Sequence, residues 1–220
     1  MTMKTHWQKT VPTLVLLALM MELGSSGARA AGDSVDLTFK YTVLQGTCNV
    51  SVGDDGTSGA LNFGDISTAS LPAKNWDPMT LVQGGQAKLP FIVQLRGCSG
   101  VAGTPKPALT LTGKTDAYTA NSTNKSFMFV DPGSTAKGVG FAIYKIDGTA
   151  STDLVAEITS VEQDSRKYIY LKNAPGGVAP DQDVTLNAIV TCGSTCGAAD
   201  KAKMKTGDLM AQVTFDFVYH

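Results

Sequence analysis

The residues of this chain whose types could do chemistry are two histidines, four cysteines, a scatter of carboxylates and one glycine-lysine-threonine triplet. Histidine is the scarcest. His6 lies in the first thirty residues and His220 is the final residue, so a Ser-His-Asp triad, a Cys-His pair or a multi-histidine metal site finds no central imidazole. Gly113, Lys114 and Thr115 resemble the end of a phosphate loop, but the motif's first glycine would fall on Ala108 and the residues that follow do not read as a helix. A turn after a strand explains the triplet better. Asp54, Asp55, Asp181 and Asp183 sit in turn-rich segments, where aspartate mimics backbone hydrogen bonding, and no spacing among the acids matches a calcium loop. Trp76 is of the type that stacks on a sugar, and more often a core aromatic. No catalytic residue, metal site or cofactor is expected, and the chain is read as non-enzymatic.

The sulfur chemistry depends on the compartment. Residues 1–30 combine a short basic leader (MTMKTHWQKT), an apolar run (VPTLVLLALMMEL) and an A-x-A-like site (ARA), the pattern of a signal peptide cut after Ala30. The apolar run is too short for a membrane span and carries Glu22. In the exported remainder, an even number of cysteines reads as disulfides. Three pairings are open for Cys48, Cys98, Cys192 and Cys196. The economical one joins Cys192 to Cys196, four apart in TCGSTCG, and so Cys48 to Cys98. Chain entropy gives about 4 kcal/mol for the long bridge and about 2 kcal/mol for the short one. Zinc sites normally use C-x2-C pairs and redox motifs place C-x-x-C at a helix start; the close pair here is C-x3-C after a strand-like run, TLNAIVT.

Setting aside Lys4, Lys9, Arg29 and Glu22 leaves 15 basic and 18 acidic residues, a net charge near minus three with no basic run. Nucleic acid is therefore not an expected partner.

The elements that must carry these residues are strands. Short runs rich in Val, Ile, Thr, Phe and Tyr recur along the chain: DLTFKYTVL, NVSV, LPFIVQLRG, ALTLTG, SFMFV, GVGFAIYKI, KYIYLK, VTLNAIVT and LMAQVTFDFVY. Turn clusters such as GDDGTSGA, DPGSTAKG and NAPGGVAPDQD separate them. No convincing helix, internal repeat or interdomain linker is visible, and SLPAKNWDP reads as loop. The pattern predicts an all-β sandwich in one domain. Both ends of the exported chain alternate. Val35, Leu37, Phe39, Tyr41 and Val43 share one face of the first strand; Leu209, Ala211, Val213, Phe215, Phe217 and Tyr219 share one face of the last.

Together these features resemble a chaperone-usher fimbrial subunit of the type 1 pilin kind. The resemblance spans essentially the whole exported chain. It rests on Cys48 after the alternating N-terminal segment, LPFIVQLRGCSG with Cys98, GVGFAIYKIDG, and the ending from Gly207 to His220, where a glycine stands fourteenth from the end and a tyrosine next to last.

The resemblance implies an incomplete immunoglobulin-like β-sandwich lacking its last strand, completed by a donor strand from another subunit. It divides the chain into a signal peptide (1–30), a donor extension (31–42) and a pilin domain (43–220). Val35, Leu37, Phe39 and Tyr41 would be the donor residues. Gly207, Leu209, Ala211, Val213, Phe215, Phe217 and Tyr219 would form the groove edge and chaperone-recognition strand. The implied partners are neighbouring pilus subunits, a periplasmic chaperone and an outer-membrane usher, on a route through the periplasm to the cell surface. The function implied is a structural subunit contributing to adhesion. The alternatives are a single-domain adhesin with a host receptor, or a secreted carbohydrate-binding sandwich that folds alone. Two features depart from the family pattern: Val35 stands where donors often carry a small residue, and Cys192 and Cys196 are additional to the usual bridge. A lone chain is expected to be unable to close its own sandwich and to leave the edge beside Phe215 open; a leading segment paired there in cis would count against the borrowed-strand account of assembly.

Overall fold

Backbone pairing among the described residues builds three sheets, and their order is set by which alternating runs can bury a face. The computed structural model describes residues 35–41, 48–53, 59–99, 106–116, 122–145, 151–162, 164–172, 179–197 and 201–220. In chain order the strands are β1 (Val35–Tyr41), β2 (Asn49–Val52), β3 (Ala60–Asn62), β4 (Ile66–Ser67), β5 (Thr80–Leu81), β6 (Lys88–Arg96), β7 (Pro107–Gly113), β8 (Gly140–Lys145), β9 (Ile169–Tyr170), β10 (Gln182–Thr191) and β11 (Leu209–Tyr219). The first sheet runs β3-β1-β11-β7-β9, the second β2-β6-β10-β8, and β4 pairs with β5. Asp33–His220 is one compact unit; Met1–Gly32 lies outside the described residues.

The main core is built from both large sheets. Leu37, Phe39, Leu111, Val213 and Phe215 come from the first, and Val50, Phe91, Val93, Ile143 and Leu186 from the second. Alternation is clean on β11, where Leu209, Ala211, Val213, Phe215 and Phe217 are all buried. On β10 it fails: from Leu186 to Thr191 every residue is buried. The cause is a second cluster in which Ile189 packs with Trp76, Phe127, Tyr144 and Leu154, so that strand has protein on both faces. The expected all-β, immunoglobulin-like sandwich is what these sheets form.

Among the described residues, three short helical segments correct the expectation of none: α1 (Ser122–Phe127), a 3-10 turn (Ser151–Asp153) and α2 (Asp164–Lys167). SFMFV, expected as strand, splits between α1 and an isolated bridge at Phe129. Phe127, Met128 and Phe129 are all buried, the first two in the second cluster and Phe129 in the main core. A strand would send neighbours to opposite faces, and the helical turn is what directs Phe127 and Met128 into one cluster. KYIYLK contributes only the two residues of β9. Trp76 is a buried core residue in a left-handed conformation (φ 66°). Its amide donates to Gly193 O at 2.9 Å, Tyr144 Oη donates to its carbonyl at 2.8 Å, and Phe127 meets its ring edge-on. These contacts hold a backbone state that costs about 1–3 kcal/mol.

Disulfides join Cys48 to Cys98 and Cys192 to Cys196, as expected from economy. The first bridges a separation of 50 residues and ties the start of β2 to the end of β6; the second, spanning 4, closes the turn after β10. A Cys48→Ser/Cys98→Ser variant should lose about 4 kcal/mol of unfolding free energy and Cys192→Ser/Cys196→Ser about 2 kcal/mol. Urea denaturation measures both, and an equal loss from the two would contradict the chain-entropy account.

Candidate functional site

The site is the long seam along β11. Its β7 side is fully engaged. Val213–Tyr219 pair antiparallel with Gly113–Pro107, and the strand's first residues bond to the segment 131–136. There Asp131 N donates to Met210 O at 2.7 Å, Ser134 Oγ bridges the Met210 amide and carbonyl at 3.0 Å each, and Asp208 O accepts from Thr135 N and Ala136 N. Gly207 begins this run at φ 149°; a Cβ there would press into Thr135 Oγ1 and come within 2.7 Å of Ala136 N. The glycine is required by close approach as much as by conformation. At the far end Tyr219 Oη reaches Ser99 O at 3.4 Å, beside the Cys48–Cys98 bridge, and its ring meets Phe217 edge-on.

The other side of β11 is filled by β1, in cis. The two strands run parallel, with Val35 opposite Leu209, Leu37 opposite Ala211, Phe39 opposite Val213 and Tyr41 opposite Phe215. On its outer side β1 pairs antiparallel with β3, Leu37 opposite Leu61. This corrects the expectation that a lone chain leaves the edge beside Phe215 open. The physical reason is proximity: an alternating segment attached to the same molecule meets a buried apolar edge at high effective concentration. Residues 31–42, expected as a separate extension, thus include a strand packed within the compact unit.

The side chains fit the seam closely. Val35 is 4% exposed, and Leu37 and Phe39 are fully buried, while Lys40 is exposed. Phe39 stacks on Phe91 of β6 with centroids 4.4 Å apart and lies 5.5 Å from Phe215; Phe91 and Phe215 are 5.9 Å apart. Phe39 therefore joins the two sheets. Ala211, the small residue of the β11 face, is the one opposite Leu37. Val35, which departs from the small residue often found in donors, is accommodated opposite Leu209. The backbone of Tyr41 pairs with Phe215, and its side chain lies outside the described residues.

Sequence reasoning missed the opposite wall of the seam. β3 is three residues long and lay in and beside the turn cluster GDDGTSGA; its only pattern is the apolar pair Leu61 and Phe63 two apart. Phe91 was in an expected strand, but nothing in LPFIVQLRG marks it as the partner of Phe39. The candidate chemistry elsewhere disperses. Asp181 caps Cys98 N at 3.1 Å, Asp183 pairs with Arg96 at 2.7 Å, and Asp54 and Asp55 lie outside the described residues. Gly113 ends β7, where a Cβ would come within 2.8 Å of Gln212 O.

A family model described as "Fimbrial protein" matches residues 37–220, beginning inside β1 and running through the whole of β11. The chain belongs to the fimbrial protein family. Among solved structures, the CupB6 tip adhesin from Pseudomonas aeruginosa is 15% identical with a TM-score of 0.35, the match covering 70% of this chain and 38% of the adhesin's. This subunit thus corresponds to less than half of that chain's length. A search of curated proteins finds no match.

Within the subunit, Phe39→Ala should lower the unfolding free energy by about 3 kcal/mol or more, the range for a deleted core phenylalanine. Lys40→Ala, on the exposed face one residue away, should change it by about 0.5 kcal/mol or less. Urea midpoints of the two variants measure the difference, and equal losses would place Phe39 outside the core.

Proposed function

We propose that this subunit is a structural, non-enzymatic component of a chaperone-usher fimbria, joined to its neighbours by exchange of the strand beside β11. Residues 1–30 direct export and are removed after Ala30. The segment 31–42 then leaves its own seam and inserts Val35, Leu37 and Phe39, with Tyr41, into the seam of the next subunit. A periplasmic chaperone lends a strand to the same edge, from Gly207 through Tyr219, until an outer-membrane usher delivers the subunit to the growing fibre. This is strand addition, in which main-chain hydrogen bonds give affinity and alternating side chains give register.

The observation that carries the reading is the place of β1. A seven-residue strand, linked to the rest of the domain only through its C-terminal end, occupies a buried seam between two other strands. Parallel pairing is slightly weaker per residue than antiparallel, so the cis strand is open to displacement by one from another molecule, which is not bound to the parallel direction.

A chain that keeps residues 1–30 but lacks 31–41 should therefore form no fibres when expressed with its chaperone and usher, while the full chain forms fibres that resist detergent. Electron microscopy and unheated gel electrophoresis read the outcome. Normal fibres from the shortened chain would refute strand exchange.

A further inference from the structure

Strand addition asks two things of an accepting edge: backbone groups that can pair, and an apolar strip that receives alternating side chains. The β11 edge has both. One half of β6 has only the second. β6 runs from Lys88 to Arg96, but β2 covers it only from Val93 to Arg96, and Gly53 N closes that ladder on Ile92 O at 3.1 Å. The first half of β6 therefore has β10 on one side and no named strand on the other.

This half-edge borders a cleft of about 340 Å³. Leu61, Phe91 and Ile92 line it with Pro90, and Gly53 and Thr185 complete its wall. Leu61 belongs to β3, so the cleft adjoins the strand that walls the β1 seam. The run Leu89, Phe91, Ile92, Val93 is also strand-forming by residue type. A strand with the pattern of β1 would find apolar contacts here.

It would not find an amide. In an antiparallel ladder, successive residues turn their N–H and C=O groups to opposite neighbours. Val190 N donates to Ala87 O at 3.0 Å and Gly53 N to Ile92 O, so the odd-numbered residues of β6 serve β10 and the even-numbered ones face the other side. Two even positions lie beyond the reach of β2: Lys88 and Pro90. The Lys88 amide already donates to Gln86 O at 2.8 Å, and proline has no N–H. A proline inside a sheet normally removes a ladder bond, yet the β10 ladder loses none here because position 90 does not face it. The stretch offers an incoming strand no donor.

We propose that Pro90 confines strand addition to the β11 edge, by leaving the apolar half-edge of β6 without a donor for a strand of a second copy of this chain. A subunit that carries an alternating strand and exposes two edges able to accept it would branch or clump, whereas one with a single accepting edge joins head to tail into an open filament. The role of Pro90 in assembly rests on the strand exchange proposed above; the chemistry of its edge does not.

Sedimentation velocity and amide exchange on the full chain test it. Pro90→Val restores an N–H in a strand-forming residue and should self-associate about fivefold or more strongly than the wild type, the scale of one regained hydrogen bond. The amide at position 90 should exchange fast in the dilute monomer and slowly in the associated state. Thr185→Val, which adds the same apolar side chain to the same cleft with no new amide, should stay as monomeric as the wild type. Circular dichroism checks folding, and Pro90→Ala, which also restores the amide, is read in place of Pro90→Val if the latter does not fold. A Pro90 variant as monomeric as the wild type, association that leaves the amide at position 90 unprotected, or equal association by Thr185→Val would each overturn the proposal. Failure of strand exchange itself reads out elsewhere, in the fibres of the wild type, and leaves these outcomes unchanged.

Discussion

The structure depends on one constraint: the backbone edge of β11 that faces away from β7 lies over the hydrophobic core and has to be paired. An unsatisfied, buried row of N–H and C=O groups is costly, and an exposed one is a template for adventitious pairing. Every side chain on the inner face of β11 adds to this, because a strand that covers the edge must also cover Leu209, Ala211, Val213 and Phe215. In the lone chain β1 meets both demands, and Phe39, stacked on Phe91 and beside Phe215, ties the covering strand to the second sheet. The remainder of the molecule can be understood as the frame that holds this edge in place. The 131–136 segment and Gly207 fix where β11 begins, the β7 ladder fixes its register, and the Tyr219 hydroxyl fixes its end near the first disulfide.

The same arrangement sets the terms of the strand exchange we propose. A segment that fills its own seam competes with one arriving from another molecule, and tethering favours the intramolecular partner. Against this, the tether restricts geometry. Tyr41 is joined to Cys48, itself bridged to Cys98, by a link that extended chain can stretch over at most about 25 Å. The cis strand runs parallel to β11 in sheets that are otherwise antiparallel among the named strands. A strand without that tether is free to adopt the better ladder.

Much of this was legible in the sequence, for a physical reason: a strand with one buried face writes its orientation in a period of two. β11, β1 and β6 follow that rule, and the cysteine spacing carried the disulfides. What was illegible follows from where the rule fails. Phe127, Met128 and Phe129 form a continuously buried run, which fits strand or helix, and packing against Trp76 and Leu154 decided for the helical turn. β3 is too short to show any period, although it walls the seam. The pairing of β1 was misjudged in partner, not in character. The alternation of Val35, Leu37 and Phe39 shows that they need an apolar seam; it does not say whose seam, and a tethered neighbour takes precedence when no other molecule is present.

Amide hydrogen exchange along Leu209–Phe215 tests the central claim most directly, comparing the full chain, a chain beginning at Thr42, and that shortened chain with a synthetic peptide of residues 31–41 added. The account predicts slow exchange in the full chain, fast exchange in the shortened one and recovery of protection with the peptide. Slow exchange in the shortened chain alone would contradict it, since the β11 edge would then be satisfied without any strand of this pattern.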